Sequence, residues 1–186
     1  RMRLNDPLVT SFMYKDKKYD IDLSFDNVLD VFDVMRNKDL RDYEKAEIGL
    51  TLLIGEDFEP SVMIELWNYV FGEFIQFNVE RTVEYDIKGN PMPVVEDDDE
   101  EYLDLEQDAE YIFASFRQAY GINLYDEQGK MTWAEFKALL HGLPNDTIMK
   151  QIVQIRSWEP SSGESEKHKQ SMRKLQRVYA LREVDE

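Results

Sequence analysis

The stretch DAEYIFASFRQAYGINLYDEQGKMTWAEFKALLHGLPNDTIMKQIVQIR, residues 108–156, decides the fold class. Ala109, Ile112, Phe113, Phe116 and Tyr120 recur at steps of three and four, which places them on one face of a helix. Asp108 stands where an N-cap side chain accepts a free N–H of the first turn. Gly121 follows the last apolar residue, where a left-handed residue closes many helices. Asn123 to Lys130 turns the chain. Thr132 and Glu135 form a T-x-x-E capping box ahead of a second apolar face, made by Trp133, Phe136, Leu139, Leu140 and Leu143. Gly142 and Pro144 stop that helix. Asn145 and Asp146 can cap a third, with Ile148, Ile152, Val153 and Ile155 facing inward. Apolar stripes at this spacing are most often core.

Toward the N-terminus the signals change. Val9–Tyr14 and Tyr19–Leu23 flank Lys15-Asp16-Lys17-Lys18 and read as a β-hairpin with a polar turn. Ser24 or Asp26 starts a helix with Val28, Leu29, Val31, Phe32 and Met35 on its apolar side, and Asn37–Asp42 is a polar break. Ala46, Ile48, Leu50, Leu52 and Leu53 belong to a second helix that ends at Gly55. Pro60 suits the first turn of a third, where Val62, Met63, Leu66, Trp67, Val70, Phe71, Phe74 and Ile75 make the strongest stripe in the chain. Its width points to burial on more than one side or to a partner surface.

Between the halves the composition shifts. Val79–Gln107 holds 11 acidic and 2 basic residues, a net of −9, and Glu96–Glu101 is an unbroken acidic run. Val79–Ile87 has strand character, and Gly89-Asn90-Pro91-Met92-Pro93 breaks regular structure. A solvated, self-repelling linker is the plain reading, and a docking strip for basic partner residues the sharper one. After the Trp158–Gly163 loop, Ser165–Glu183 reads as a last helix with Met172, Leu175, Val178, Tyr179 and Leu181 as its apolar members. Lys167, Lys169, Arg173, Lys174, Arg177 and Arg182 make it basic, suited to pairing with the acidic linker of the same chain or of a neighbouring copy. The expected fold is mainly α with a small N-terminal β-hairpin (α+β), with about four helices in the C-terminal half. The expected division is 1–78 for the hairpin plus helices, 79–107 for the acidic linker and 108–186 for the C-terminal helical domain.

Charge and composition exclude several functions. With 22 basic and 39 acidic residues among 186, the net charge is −17, so nucleic acid and anionic membranes repel the chain. Cysteine is absent, which removes disulfides, thiol catalysis and thiolate zinc sites. Residues 1–7 have no apolar core for a signal peptide, and Val62–Phe77 contains Glu65 and Glu73, too charged and too short for a bilayer span. The Asp126–Lys130 loop fails as an EF-hand: with Gly129 at the sixth position, Leu124 falls at the first, and leucine cannot ligate calcium. His141 and His168 stand far apart with no metal-ligand spacing, and no glycine-rich phosphate loop or nucleophile elbow occurs. No cofactor, no metal site and no enzyme is expected.

One resemblance adds a function. Tyr111–Phe116, Gln118–Leu124, Trp133, Phe136, Leu139–Pro144, Asp146, Thr147 and Arg156, with Tyr19-Asp20-Ile21-Asp22 and the Val28, Leu29, Phe32 helix, resemble the gene product fifteen family of tailed phages of Gram-positive hosts. The departure is Met131-Thr132-Trp133-Ala134, where the family carries a more aromatic, His-containing run. The family lies among the tail genes near the tape-measure gene, which implies a tail-assembly role as a non-catalytic chaperone of the tape-measure protein. The implied partners are the tape-measure or another tail protein, with a weak homo-oligomer compatible with many copies along one chain, and neither nucleic acid nor membrane. The implied place is the cytoplasm of the bacterial host, outside the mature virion. Aromatic richness near helix ends makes Trp133, Phe136, Leu140 and Trp158 the expected groove, with Phe71 and Phe74 as a second choice. Two other readings stand beside this one: an acidic DNA mimic that inhibits a host nucleic-acid-binding protein, and a structural tail component. Against the mimic, the charge is concentrated in one Pro-containing stretch instead of spread at phosphate spacing.

Overall fold

The structure is a computed structural model that describes residues 7–56, 58–76 and 102–182. Among them are a two-stranded antiparallel hairpin and seven α-helices, so the chain is mainly α with a small β part. It divides into two compact units: Arg1–Phe77 with Tyr125–Leu139, and Asn78–Leu124 with Leu140–Glu186.

The first unit opens on β1 (Ser11–Tyr14) and β2 (Lys17–Asp20), in register Phe12↔Tyr19 and Tyr14↔Lys17. The turn is tighter than the expected four residues. Lys15 and Asp16 alone form it, at φ of 45° and 63°. Two left-handed residues in succession give the backbone twist that a two-residue hairpin needs. Helix α1 (Phe25–Arg36) buries Phe25, Val28 and Val31, and α2 (Asp42–Ile54) buries Ala46, Gly49, Leu50 and Leu53. Gly49 is needed for close approach: a Cβ built there would lie 2.6 Å from Cη2 of Trp67. At the start of α2, the Glu44 carboxylate accepts from the Arg41 backbone N–H at 2.8 Å and from its guanidinium at 3.1 Å. Helix α3 (Pro60–Val70) has proline in its first turn and runs on as a π-helical turn over Phe71–Ile75. The stripe read as one helix therefore spans two geometries. Met63, Leu66, Trp67, Val70 and Ile75 are buried, each stabilising by roughly 1.5–3 kcal/mol.

Tyr125–Leu139, kept with the C-terminal helices in the sequence reading, packs with the first unit. Thr132 bridges to Ser24, the Trp133 N–H donates to the Leu23 carbonyl at 2.7 Å, and the Phe25 N–H donates to the Met131 carbonyl at 3.0 Å. The Gly129 N–H donates to the Asp26 carboxylate at 2.8 Å, which fastens the former calcium-loop candidate to α1. Helix α5 (Trp133–His141) starts where the capping box predicts, with the Thr132 hydroxyl accepting from the Glu135 N–H at 3.2 Å.

The second unit holds α4 (Ala109–Tyr120), α6 (Ile148–Arg156) and α7 (Glu166–Tyr179). Helix α4 ends on left-handed Gly121 as expected and buries Ile112, Ser115 and Phe116, whereas Ala109 is exposed. Asp108 occupies the N-cap position without a side-chain cap bond, because its carboxylate is committed elsewhere. Arg156 takes both oxygens, Nη1 to Oδ2 at 2.6 Å and Nη2 to Oδ1 at 2.8 Å. The same guanidinium donates to the Tyr102 carbonyl at 2.7 Å and to the Tyr179 carbonyl at 2.6 Å. Arg156 thus ties the chain before α4 and the end of α7 to α6. The N-cap of α6 is Thr147, not the expected Asn145 or Asp146 that precede it. Its buried hydroxyl donates to the Pro144 carbonyl at 2.7 Å, and the Met149 N–H donates to the Ser115 hydroxyl of α4 at 3.0 Å. That bond satisfies a first-turn donor that no helix can satisfy internally. Ser165 caps α7, accepting from the His168 N–H at 3.2 Å. The strand expected over Val79–Ile87 and the run Glu96–Glu101 lie outside the described residues. Among the described residues, no helix is long and apolar enough to cross a membrane.

Candidate protein-binding surface

The residues predicted for a groove do not assemble into one. Trp133 and Phe136 are 1% and 2% exposed in the first unit. Phe136 stacks on Phe25 at 5.1 Å, Trp133 packs on Phe32 at 5.5 Å, and the Trp133 indole N–H donates to the Ile75 carbonyl at 2.9 Å. An indole satisfied on every side is a finished core position, so these two rings are core and not groove. Leu140 is likewise buried. Trp158 is half-buried in the second unit, edge-on to His168 at 6.2 Å, with its carbonyl accepting from Gln176 at 2.8 Å. Phe71 is half-buried against Trp67 at 5.5 Å.

Phe74 is the predicted residue that leads to a surface. Its ring lies 5.3 Å from Phe12 and 6.2 Å from Tyr69, and Tyr69 lies 5.8 Å from Phe12 and 5.2 Å from Tyr14. Three elements build this cluster. Phe12 and Tyr14 are two apart on β1 and so share a face of the strand. Tyr69 comes from the last turn of α3, and Phe74 from the π-helical turn. Phe12 is buried, Tyr14 and Phe74 are half-buried, and Tyr69 stands 36% exposed, with Ile64 exposed on the same helix. Sequence spacing alone does not single out Phe12, Tyr14 and Tyr69. The alternation on β1 was the available signal, whereas Tyr69 lies off the main stripe of α3.

Charges frame the rings. Lys15 pairs with Glu65 beside Tyr14, and Lys17 meets Glu56 at 3.0 Å beside Tyr19. The bond to Glu65 raises the Lys15 amine and lowers the Glu65 carboxyl below its usual range, and the bond to Glu56 likewise raises Lys17. These pairs are solvent-exposed, so they orient the hairpin tip more than they stabilise it. Half-exposed aromatics with polar tips, bordered by charge of both signs, suit contact with another protein. Among the described residues, no group of three or more His, Cys, Asp or Glu could hold a metal ion.

The model of one protein family, described as bacteriophage Gp15 protein, matches residues 4–181. No curated protein and no solved structure matches the chain.

Proposed function

We propose a role in tail assembly for this chain, which belongs to the bacteriophage Gp15 family. It is a non-catalytic, chaperone-like binder of the tape-measure protein and acts in the cytoplasm of the bacterial host before the tail tube encloses that protein. A tape-measure protein is long and helical, with apolar faces that associate wrongly while uncovered. The observation that carries the binding is the cluster of Tyr14, Tyr69 and Phe74, partly exposed over buried Phe12. Such a surface accepts the apolar face of one amphipathic helix, whose anchors recur every three or four residues. The net charge of −17 keeps the complex soluble once the apolar faces are covered. Binding is reversible, because the tube protein displaces the factor, and the factor is absent from the mature virion.

The test is co-expression with the tape-measure protein of the same genome. The expected result is a soluble tape-measure protein that co-purifies with this chain, and less of it with Tyr69→Ala. No co-elution and no gain in solubility would overturn the proposal, and recovery of the chain from purified particles would favour a structural tail component. Trp158 is the first-choice groove residue that a partner can reach. Unchanged binding by Trp158→Ala together with lost thermal stability would assign that ring to packing alone.

A further inference from the structure

Helix α7 carries five basic residues and one acidic residue between Glu166 and Tyr179, within a chain of net charge −17. Its inward side is formed by Lys169, Met172, Gln176 and Tyr179, which are half-buried, and no residue of the helix is fully buried. Lys169 pairs with Glu166 at 3.3 Å. Lys167, Arg173, Lys174 and Arg177 are exposed and make no ion pair among the described residues. At 100° per residue they fall on one broad face. Arg173 and Arg177, with Gln176 and Ala180, also line an open hollow of about 470 Å³. Like charges so placed repel one another, and a cationic face in an acidic protein attracts carboxylates.

We infer that the occupant of this face is the acidic run Glu96–Glu101 of the same chain. Complementary charge is the first reason: the run supplies six consecutive carboxylates, and α7 presents four exposed cations that make no ion pair among the described residues. Position is the second. Tyr102 follows the run directly, and its carbonyl is held by Arg156, whose guanidinium also holds the carbonyl of Tyr179 at the end of α7. Five residues further on, the Gln107 side chain bonds Arg182 twice, accepting from its N–H at 2.7 Å and donating to its carbonyl at 3.2 Å. The run therefore ends one residue from an anchor beside the C-terminal end of the basic helix. Reach is the third reason. Six extended residues span about 20 Å, and a helix of fourteen residues is about 21 Å long. A tether this short raises the local concentration to about the millimolar range, which favours the run of the same chain over that of another copy at ordinary protein concentrations.

The test uses the full chain and a zero-length carbodiimide cross-linker, which joins an amine to a carboxylate only in contact. An equal mixture of ¹⁵N-labelled and unlabelled chain is treated at low salt, digested and read by mass spectrometry. The expected products join Lys167 or Lys174 to the Glu96–Glu101 run within chains of a single isotope. The Lys169–Glu166 pair serves as the internal standard. Neutralising the run (E96Q, D97N, D98N, D99N, E100Q, E101Q) should abolish those products and leave the standard. Mixed-isotope products would place a second copy on the face and overturn the inference. Absence of run products while the standard forms would overturn it as well.

Discussion

Replacing Arg156 by methionine should make the second unit unfold more readily. The guanidinium and the Asp108 carboxylate are 8% and 1% exposed, so neither is solvated by bulk water. Methionine keeps the aliphatic stem and removes four donated bonds, two to the carboxylate and two to the Tyr102 and Tyr179 carbonyls. The carbonyls belong to half-buried residues and regain water cheaply. The carboxylate does not: it keeps the Asp104 N–H at 3.0 Å and loses its only guanidinium. Breaking a buried pair from one side costs about 3–5 kcal/mol. At about 1.4 kcal/mol per tenfold, amides of α4 and α6 should exchange roughly a hundredfold to a few thousandfold faster. Hydrogen-exchange mass spectrometry of peptides covering Ala109–Tyr120 and Ile148–Arg156 reads this directly. Adding Asp108→Asn removes the stranded charge, so the double variant should recover about 1–3 kcal/mol of the loss. Exchange within about tenfold of the parent in the single variant would show that the pair does not organise the unit.

Three further outcomes follow from the geometry. Gly49→Ala should gain about 1 kcal/mol of helix propensity and lose about 1–3 kcal/mol by forcing Trp67 aside, for a net fall in the urea midpoint and a changed Trp fluorescence. Ser115→Ala should cost about 1–2 kcal/mol, because the buried Met149 N–H loses its acceptor; an unchanged midpoint would sink that account. Glu44, held down to about 2 by the Arg41 guanidinium and then by the Arg41 backbone N–H, has a folded pKa below its unfolded one. Its contribution is therefore present above the unfolded value of about 4.3 and is lost as pH falls toward 2, so NMR titration of its carboxyl should find a midpoint near the lower figure.

Periodicity made the helices legible. The faces containing Ile112 and Phe116, Trp133 and Phe136, and Met63 and Trp67 are buried as spaced. What periodicity cannot carry is the identity of the neighbour. An aromatic stripe looks the same whether it meets a partner or the chain itself, and Trp133 and Phe136, which by sequence suit a groove, complete a core built largely from residues before 77. Polar residues hid the rest. Asp108 reads as a cap in the sequence because a carboxylate before a helix usually caps, and only an arginine 48 positions away overrides that preference. Ser115 sat unnoticed inside an apolar face, although its hydroxyl starts another helix. The Lys15-Asp16 turn has neither Gly nor Asn to announce its left-handed pair. The candidate surface was legible only through Phe74, because its other rings come from separate elements that meet in three dimensions.

Because the first unit takes Tyr125–Leu139 from beyond the acidic stretch, it cannot finish folding as it leaves the ribosome. The Ile75 carbonyl is synthesised long before the indole that donates to it. At about 5–20 residues per second, the 58 residues from Ile75 to Trp133 take roughly 3–12 s to make. For that interval the nascent chain lacks the Trp133 and Phe136 rings of its core. The same interleaving changes what a cut would do. Cleaving the backbone between Gln76 and Tyr102 yields two fragments that both supply the first unit, so they should stay associated through size-exclusion chromatography. Expressed apart, the N-terminal fragment should be largely unfolded and should regain structure when the other is added.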